Sequence, residues 1–204
     1  SAFGALPFFL SGQIPSYVDA FFEMVSGFTT TGASILTADE ALSRCNLFWR
    51  SFSHWLGGMG VLVFLLAVVP GARKNGGTGI YLMRAESPGP SGDKLTPHLR
   101  LTAMILYGIN ILLTALCIGC LLLGGMPVFD SFCIAFGTAG TGGFAIKTRS
   151  MGGYCCFLQT VVTVFMFLFG VNFSLYYMLL LRKFKAVFKN EELRLYFGSA
   201  AGSI

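Results

Sequence analysis

Three long apolar stretches, at 47–69, 99–123 and 154–181, constrain this chain more than any other feature. Each runs for about 20 residues or more with very few charges, enough for a helix to cross a hydrocarbon core ~30 Å thick. The 204 residues are 54% hydrophobic and only 11% charged, against about 25% charged in an ordinary soluble domain. So little charge cannot coat a globule in water, and much of the surface is expected to face lipid. The predicted fold class is an all-α membrane protein. Residues 1–10 (SAFGALPFFL) read as the tail of a further span. No basic segment of a signal peptide precedes them, and the start at Ser1 suggests a piece of a longer chain. Arg50 and His54 in the first stretch and Arg100 in the second lie near its ends, where a long side chain is expected to reach back to the interface.

Two shorter apolar pieces, 17–28 and 129–136, are too short to span. Pro15 and Pro127 precede them and suit a helix start, and Asp19 and Asp130 follow in the first turn, where a negative charge favours the helix dipole. Each piece ends in a Thr/Gly-rich segment of low helix propensity. An apolar helix this short between true spans predicts a re-entrant segment. The connections differ: 70–97 is rich in Gly, Pro and charge and reads as a loop, whereas 182–197 reads as an amphipathic surface helix. Both hold clustered Lys and Arg beside apolar runs, which assigns them to the cytoplasmic side and excludes a nucleic-acid surface. The basic run at 182–189 serves most simply as a topology anchor.

The re-entrant pieces repeat. A shift of 111 residues lays DAFFEMVSGFTTTG (19–32) over DSFCIAFGTAGTGG (130–143) without a gap, matching Asp19 with Asp130, Phe21 with Phe132, Thr30 with Thr141 and Gly32 with Gly143. The repeating unit is span, short helix, Thr/Gly segment, span. Residues 1–69 form a first repeat lacking most of its outer helix, with a re-entrant loop at 15–34 and an inner helix at 47–69. Residues 98–182 form a second, with outer helix 99–123, re-entrant loop 127–144 and inner helix 154–181. Between them lies a cytoplasmic loop, 70–97, and after them an interfacial helix and linker, 183–204.

This pattern suits a cation site. Irregular backbone is tolerated at membrane depth only where protein buries it or water reaches it. A segment such as FTTTGAS (28–34) must therefore line a cavity, where its carbonyls can replace the hydration shell of a cation. Thr hydroxyls add uncharged oxygens, Gly supplies backbone angles that other residues avoid, and the negative end of the short helix points at the ion. Neither Thr/Gly segment contains a carboxylate.

The strings SGFTTTGAS (26–34), FWRSFSHWLGGMGVLVF (48–64) and FGTAGTGGFAIKTRS (136–150) resemble the Trk/Ktr/HKT superfamily of potassium transporters, most closely its TrkH-like bacterial branch. The resemblance covers nearly the whole chain. It implies a pseudo-fourfold pore built from four such repeats, each giving one filter segment with a key glycine. Carried over, Gly32 and Gly143 are the filter glycines of the first and second repeats, and Thr29, Thr30, Thr31, Gly140, Thr141 and Gly142 supply filter carbonyls that hold K⁺. Glycine rather than serine at position 32 implies preference for potassium. The resemblance also implies potassium transport across a bacterial inner membrane by a multi-pass protein, a homodimer of pore chains and a cytoplasmic nucleotide-binding regulatory subunit. No cofactor and no transition-metal site are expected in the chain itself. One repeat and most of another make half a filter, so the remaining repeats are expected from a longer gene product or a second chain.

Other motifs carry less. GTAGTGG (137–143) lacks the GK[ST], the preceding strand and the acidic partner of a nucleotide loop. Cys117 and Cys120 form a CxxC inside an apolar run with no second pair, and read as packing residues. Gly57, Gly58 and Gly60 read either as a gating hinge or, more simply, as close packing against a neighbouring helix. Asn172 suits a pore-lining or gate position as well as an interhelical hydrogen bond. His54 reads as a packing residue rather than a ligand, and no nucleophile elbow surrounds Ser51, Ser53, His54 and Asp39. Two other function classes remain to be weighed: a non-conducting membrane scaffold, and a membrane enzyme, which needs paired ionisable residues that the three spans do not offer.

Overall fold

A computed structural model describes residues 1–36, 41–60, 99–147, 150–180 and 191–202. Among these, all regular structure is helical: α1 (Ala2–Leu10), α2 (Tyr17–Phe28), α3 (Arg44–Gly58), α4 (Leu99–Leu123), α5 (Val128–Ala139), a 3₁₀ turn at Ser150–Gly153, α6 (Cys156–Phe169), α7 (Phe173–Leu180) and α8 (Glu191–Gly202). The all-α membrane fold class expected from the sequence is the one found. The first of two compact units holds the described residues through Gly60 together with Leu112–Met166; the second holds residues 99–111 and the described residues from Phe167 onward.

The helix starts follow from local chemistry. Asp19 N–H donates to Ser16 Oγ at 3.4 Å, which caps α2, and Asp19 itself occupies the first turn. Ser43 caps α3 in the same way, its Oγ accepting from Asn46 N–H at 3.4 Å. At α5 Pro127 holds the capping position, with Asp130 in the first turn and Ser131 Oγ donating to Pro127 O at 3.0 Å. The short helices expected after Pro15 and Pro127 are thus both present.

The 25-residue α4 reaches about 38 Å, and Ala103–Leu123 within it is the one described helix long and apolar enough to cross a membrane. Its mid-helix polar side chains, Asn110 and Thr114, are buried. Cys117 and Leu121 are fully buried, while Leu112, Leu116 and Leu123 are exposed, as suits a helix with protein on one side and lipid on the other. Cys117 joins Phe8, Met24, Leu121, Cys133 and Ile134 in the core of the first unit.

Of the inner helix expected at 47–69, α3 accounts for the part up to Gly58, and 61–69 lie outside the described residues. The stretch 154–181 is not one continuous helix: α6 stops at Phe169 and α7 begins at Phe173. Gly170 is a poor helix former, and the break leaves a turn in which Leu175 N–H donates to Asn172 O at 2.9 Å. The cytoplasmic loop expected at 70–97 and the basic anchor at 182–189 lie outside the described residues. The surface helix expected at 182–197 is helical from Glu191 and runs past that end to Gly202, with Tyr196 Oη donating to Phe167 O at 3.1 Å in the second unit.

Candidate ion-filter site

The two short helices, with the Thr/Gly segments that follow them, have the same backbone in the same register. Tyr17 and Val128 begin α2 and α5, and Phe28 and Ala139 end them, each pair 111 residues apart. Thr29 N–H donates to Val25 O at 2.9 Å, and its counterpart Gly140 N–H donates to Phe136 O at 3.1 Å. Thr30 N–H donates to Gly27 O at 3.1 Å, and Thr141 N–H to Thr138 O at 3.0 Å. The chain then enters left-handed backbone at matched positions: φ is 55° at Thr30 and 53° at Thr141, 75° at Gly32 and 79° at Gly143. A positive φ at a β-branched residue is uncommon and costs about 1–2 kcal/mol. Finding it at both threonines marks a built conformation.

The two segments also meet. A Cβ on Gly32 would run into the carbonyl of Gly142, and one on Gly142 would collide with the His54 ring and with Thr30 O, 2.6 Å away. Thr29, Thr31, Thr141 and Gly143 are exposed, whereas Gly140 behind them is buried. The site thus has an open face and a packed back. Thr29 Oγ1 donates to Val25 O at 2.7 Å and lies 2.8 Å from Thr31 Oγ1, so these hydroxyls are engaged with the protein rather than held free.

The back of the site is α3. Its aromatic side, Phe48, Phe52 and Trp55, packs on Phe136 of α5 with ring centroids 5.7–5.8 Å apart. Trp55 Nε1–H donates to Thr114 Oγ1 on α4 at 3.0 Å. The other side of α3 faces the two Thr/Gly segments. A Cβ on Gly57 would meet Phe28 O, and one on Gly58 would meet Ala139 O at 2.8 Å. Consecutive glycines thus seat the equivalent ends of the two short helices. Gly60 ends α3 with a φ of 76°. His54 is fully buried, 4.5 Å from the Phe144 ring and wedged against Gly140 and Gly142. Neither of its ring nitrogens has a hydrogen-bond partner among the described residues. Asn172 belongs to the second unit, at the turn between α6 and α7.

Arg50 corrects the expectation that it reaches back to an interface: its side chain is 3% exposed, and Nε lies 2.6 Å from Oε1 of Glu23, which is wholly buried in α2. The guanidinium also donates from Nη1 to Ala145 O at 2.9 Å and lies 3.9 Å from the centre of the Phe144 ring. Glu23 accepts in turn from Ser34 Oγ at 3.0 and 3.2 Å and from Ile35 N–H at 3.1 Å. Sequence reasoning passed over Glu23 because it stands before the Thr/Gly segment rather than inside it. The available signal was an acidic residue in the apolar helix YVDAFFEMVSGF, since an ionisable group at membrane depth is functional by default.

The chain is similar to known proteins along most of its length. The TrkH family, described as cation transport proteins, matches residues 2–198. The Trk system potassium uptake protein TrkH of Salmonella typhimurium is 38% identical over 96% of this chain and 41% of its own length. The corresponding protein TrkG of Escherichia coli strain K12 is 38% identical over all of this chain and 42% of its own. The crystal structure of the potassium transporter TrkH from Vibrio parahaemolyticus superposes with a TM-score of 0.66 at 33% identity, over 85% of this chain and 34% of that one. The chain therefore spans about two fifths of the length of the curated relatives it matches. The resemblance read from 26–34, 48–64 and 136–150 is borne out: by a match along nearly its whole length, this chain belongs to the TrkH family of cation transport proteins.

Proposed function

We propose that this chain supplies two adjacent quarters of a potassium-selective pore, through which ions pass single file between backbone carbonyls of Thr29–Gly32 and Gly140–Gly143. The observation that carries this reading is the matched left-handed backbone at Thr30 and Thr141 and at Gly32 and Gly143, in segments packed against each other. A scaffold has no need to hold two threonines in a costly conformation at equivalent positions. The carboxyl ends of α2 and α5 precede the segments and present partial negative charge to a cation without binding it too tightly to leave. Potassium is cargo in this account. The chain is a transporter component rather than an enzyme, and needs no cofactor.

The other two quarters come from further repeats, in the same gene product or in a second chain. By kinship with the Trk system proteins, the assembled transporter sits in a bacterial inner membrane, pairs as a homodimer and answers to a cytoplasmic nucleotide-binding subunit. Asn172 and Gly60 are the candidate gate or pore-lining positions, whereas the contacts of Gly57 and Gly58 favour close packing against the ends of α2 and α5.

The test is potassium and sodium uptake by the assembled transporter in lipid vesicles. Wild type is expected to take up K⁺ and largely reject Na⁺, and Gly32→Ser is expected to admit Na⁺. Unchanged K⁺ preference in both Gly32→Ser and Gly143→Ser would sink the filter reading.

A further inference from the structure

The Glu23–Arg50 pair spans both filter segments at equivalent places. Glu23 holds Ser34 and Ile35, just past the first filter glycine. Arg50 holds the carbonyl of Ala145, just past the second. Ser34 and Ala145 are themselves 111 residues apart, so they are counterparts in the repeat. A single ion pair thus runs from one segment's exit, through Glu23 and Arg50, to the same point of the other.

Stability alone does not account for it. Burying two charges costs desolvation that their attraction barely offsets, and a well-packed apolar pair often serves the fold as well. The second repeat has such a pair: the counterparts of Glu23 and Arg50 are Ile134, which is buried, and Val161, which is partly buried, both belonging to the apolar core. The same helix-and-loop backbone is therefore built there without charge. What an ion pair adds is direction. Arginine's planar fork fixes two acceptors at once, here Glu23 through Nε and Ala145 O through Nη1.

We propose that Glu23 and Arg50 are positioning residues for ion selectivity, forming a bracket that fixes the spacing of the two filter segments and so disfavours the smaller cation. The inference rests on the reading of these segments as a potassium filter. Sodium gains when carbonyls draw in around it, and a bracket tying both exits to α2 and α3 resists that movement. Ser34 and Ile35 are exposed and Ala145 is half-buried, so burial alone does not restrain them.

The experiment compares K⁺ and Na⁺ uptake ratios in vesicles, together with the amount of assembled transporter and its thermal stability. The variant Glu23→Ile/Arg50→Val installs the residues of the second repeat. It is expected to assemble like wild type while its K⁺/Na⁺ ratio falls about tenfold, equivalent to ~1.4 kcal/mol. Ser34→Ala, which removes one hydroxyl contact to Glu23, is expected to lower the ratio about threefold with no loss of assembly. An assembled double variant with wild-type discrimination would overturn the bracket. Should the double variant fail to assemble, Ser34→Ala decides alone, and an unchanged ratio there overturns it equally. A wild type that moves no K⁺ would instead overturn the filter reading on which the bracket rests.

Discussion

The two repeats reach one backbone by different means. In the first, Ser26 sits where the second has Gly137, and Ser26 Oγ reaches Ala33 O at 2.5 Å. In the second there is no hydroxyl at this position: Gly137 lies so close to the carbonyl of Phe144, the counterpart of Ala33, that a Cβ would collide with it. The first repeat adds the buried Glu23–Arg50 pair, whereas the second fills the equivalent space with Ile134 and Val161. A hydroxyl ties the first Thr/Gly segment to its own helix where close packing serves in the second, yet the φ angles at the paired residues agree within 4°. The conformation is the shared element, and the means of fixing it are free to vary.

This contrast can be broken by substitution. The largest difference is expected between counterparts Arg50 and Val161. Arg50→Met leaves Glu23 buried without its cation and should cost about 3–5 kcal/mol, whereas Val161→Met adds only volume and should cost ~1–3 kcal/mol. Thermal unfolding of the assembled transporter measures both, and equal losses would show that the ion pair is not what holds the first repeat. Next come Gly137 and Ser26. Gly137→Ala forces a methyl against Phe144 O and should cost about 1–3 kcal/mol, while Ser26→Ala removes one hydrogen bond and should cost ~1 kcal/mol. The reverse order would mean that packing does not fix the second segment. The smallest effect belongs to Tyr154, whose Oη donates to Asp130 Oδ2 at 2.8 Å. Tyr154→Phe should cost about 1 kcal/mol and leave ion preference unchanged.

Much of this was legible in the sequence, for physical reasons. The 111-residue register rests on Gly32 and Gly143, where only glycine takes φ near +75° without cost, so the backbone writes itself into residue type. Pro15, Asp19, Pro127 and Asp130 announced the short helices because helix starts depend on local chemistry. The tertiary pairings were not legible. Glu23 and Arg50 are 27 residues apart and meet only because α3 packs on α2. Arg50 at the head of an apolar run has the same local pattern whether it reaches to an interface or turns inward. The break at Gly170–Asn172 was hidden by the continuous apolar character of 154–181, since hydropathy records burial in lipid but not helix continuity. The engagement of the Thr29 and Thr31 hydroxyls with each other likewise depends on a backbone turn that composition does not reveal.

The central claim is that both segments line one ion path. The most direct test is a crystal structure of the assembled transporter soaked with thallous ion, a potassium mimic located by anomalous scattering. The account predicts ions held jointly by carbonyl oxygens of Thr29–Gly32 and of Gly140–Gly143. Ions that touch neither segment, or that are bound by one while the other stands away from the path, would contradict it.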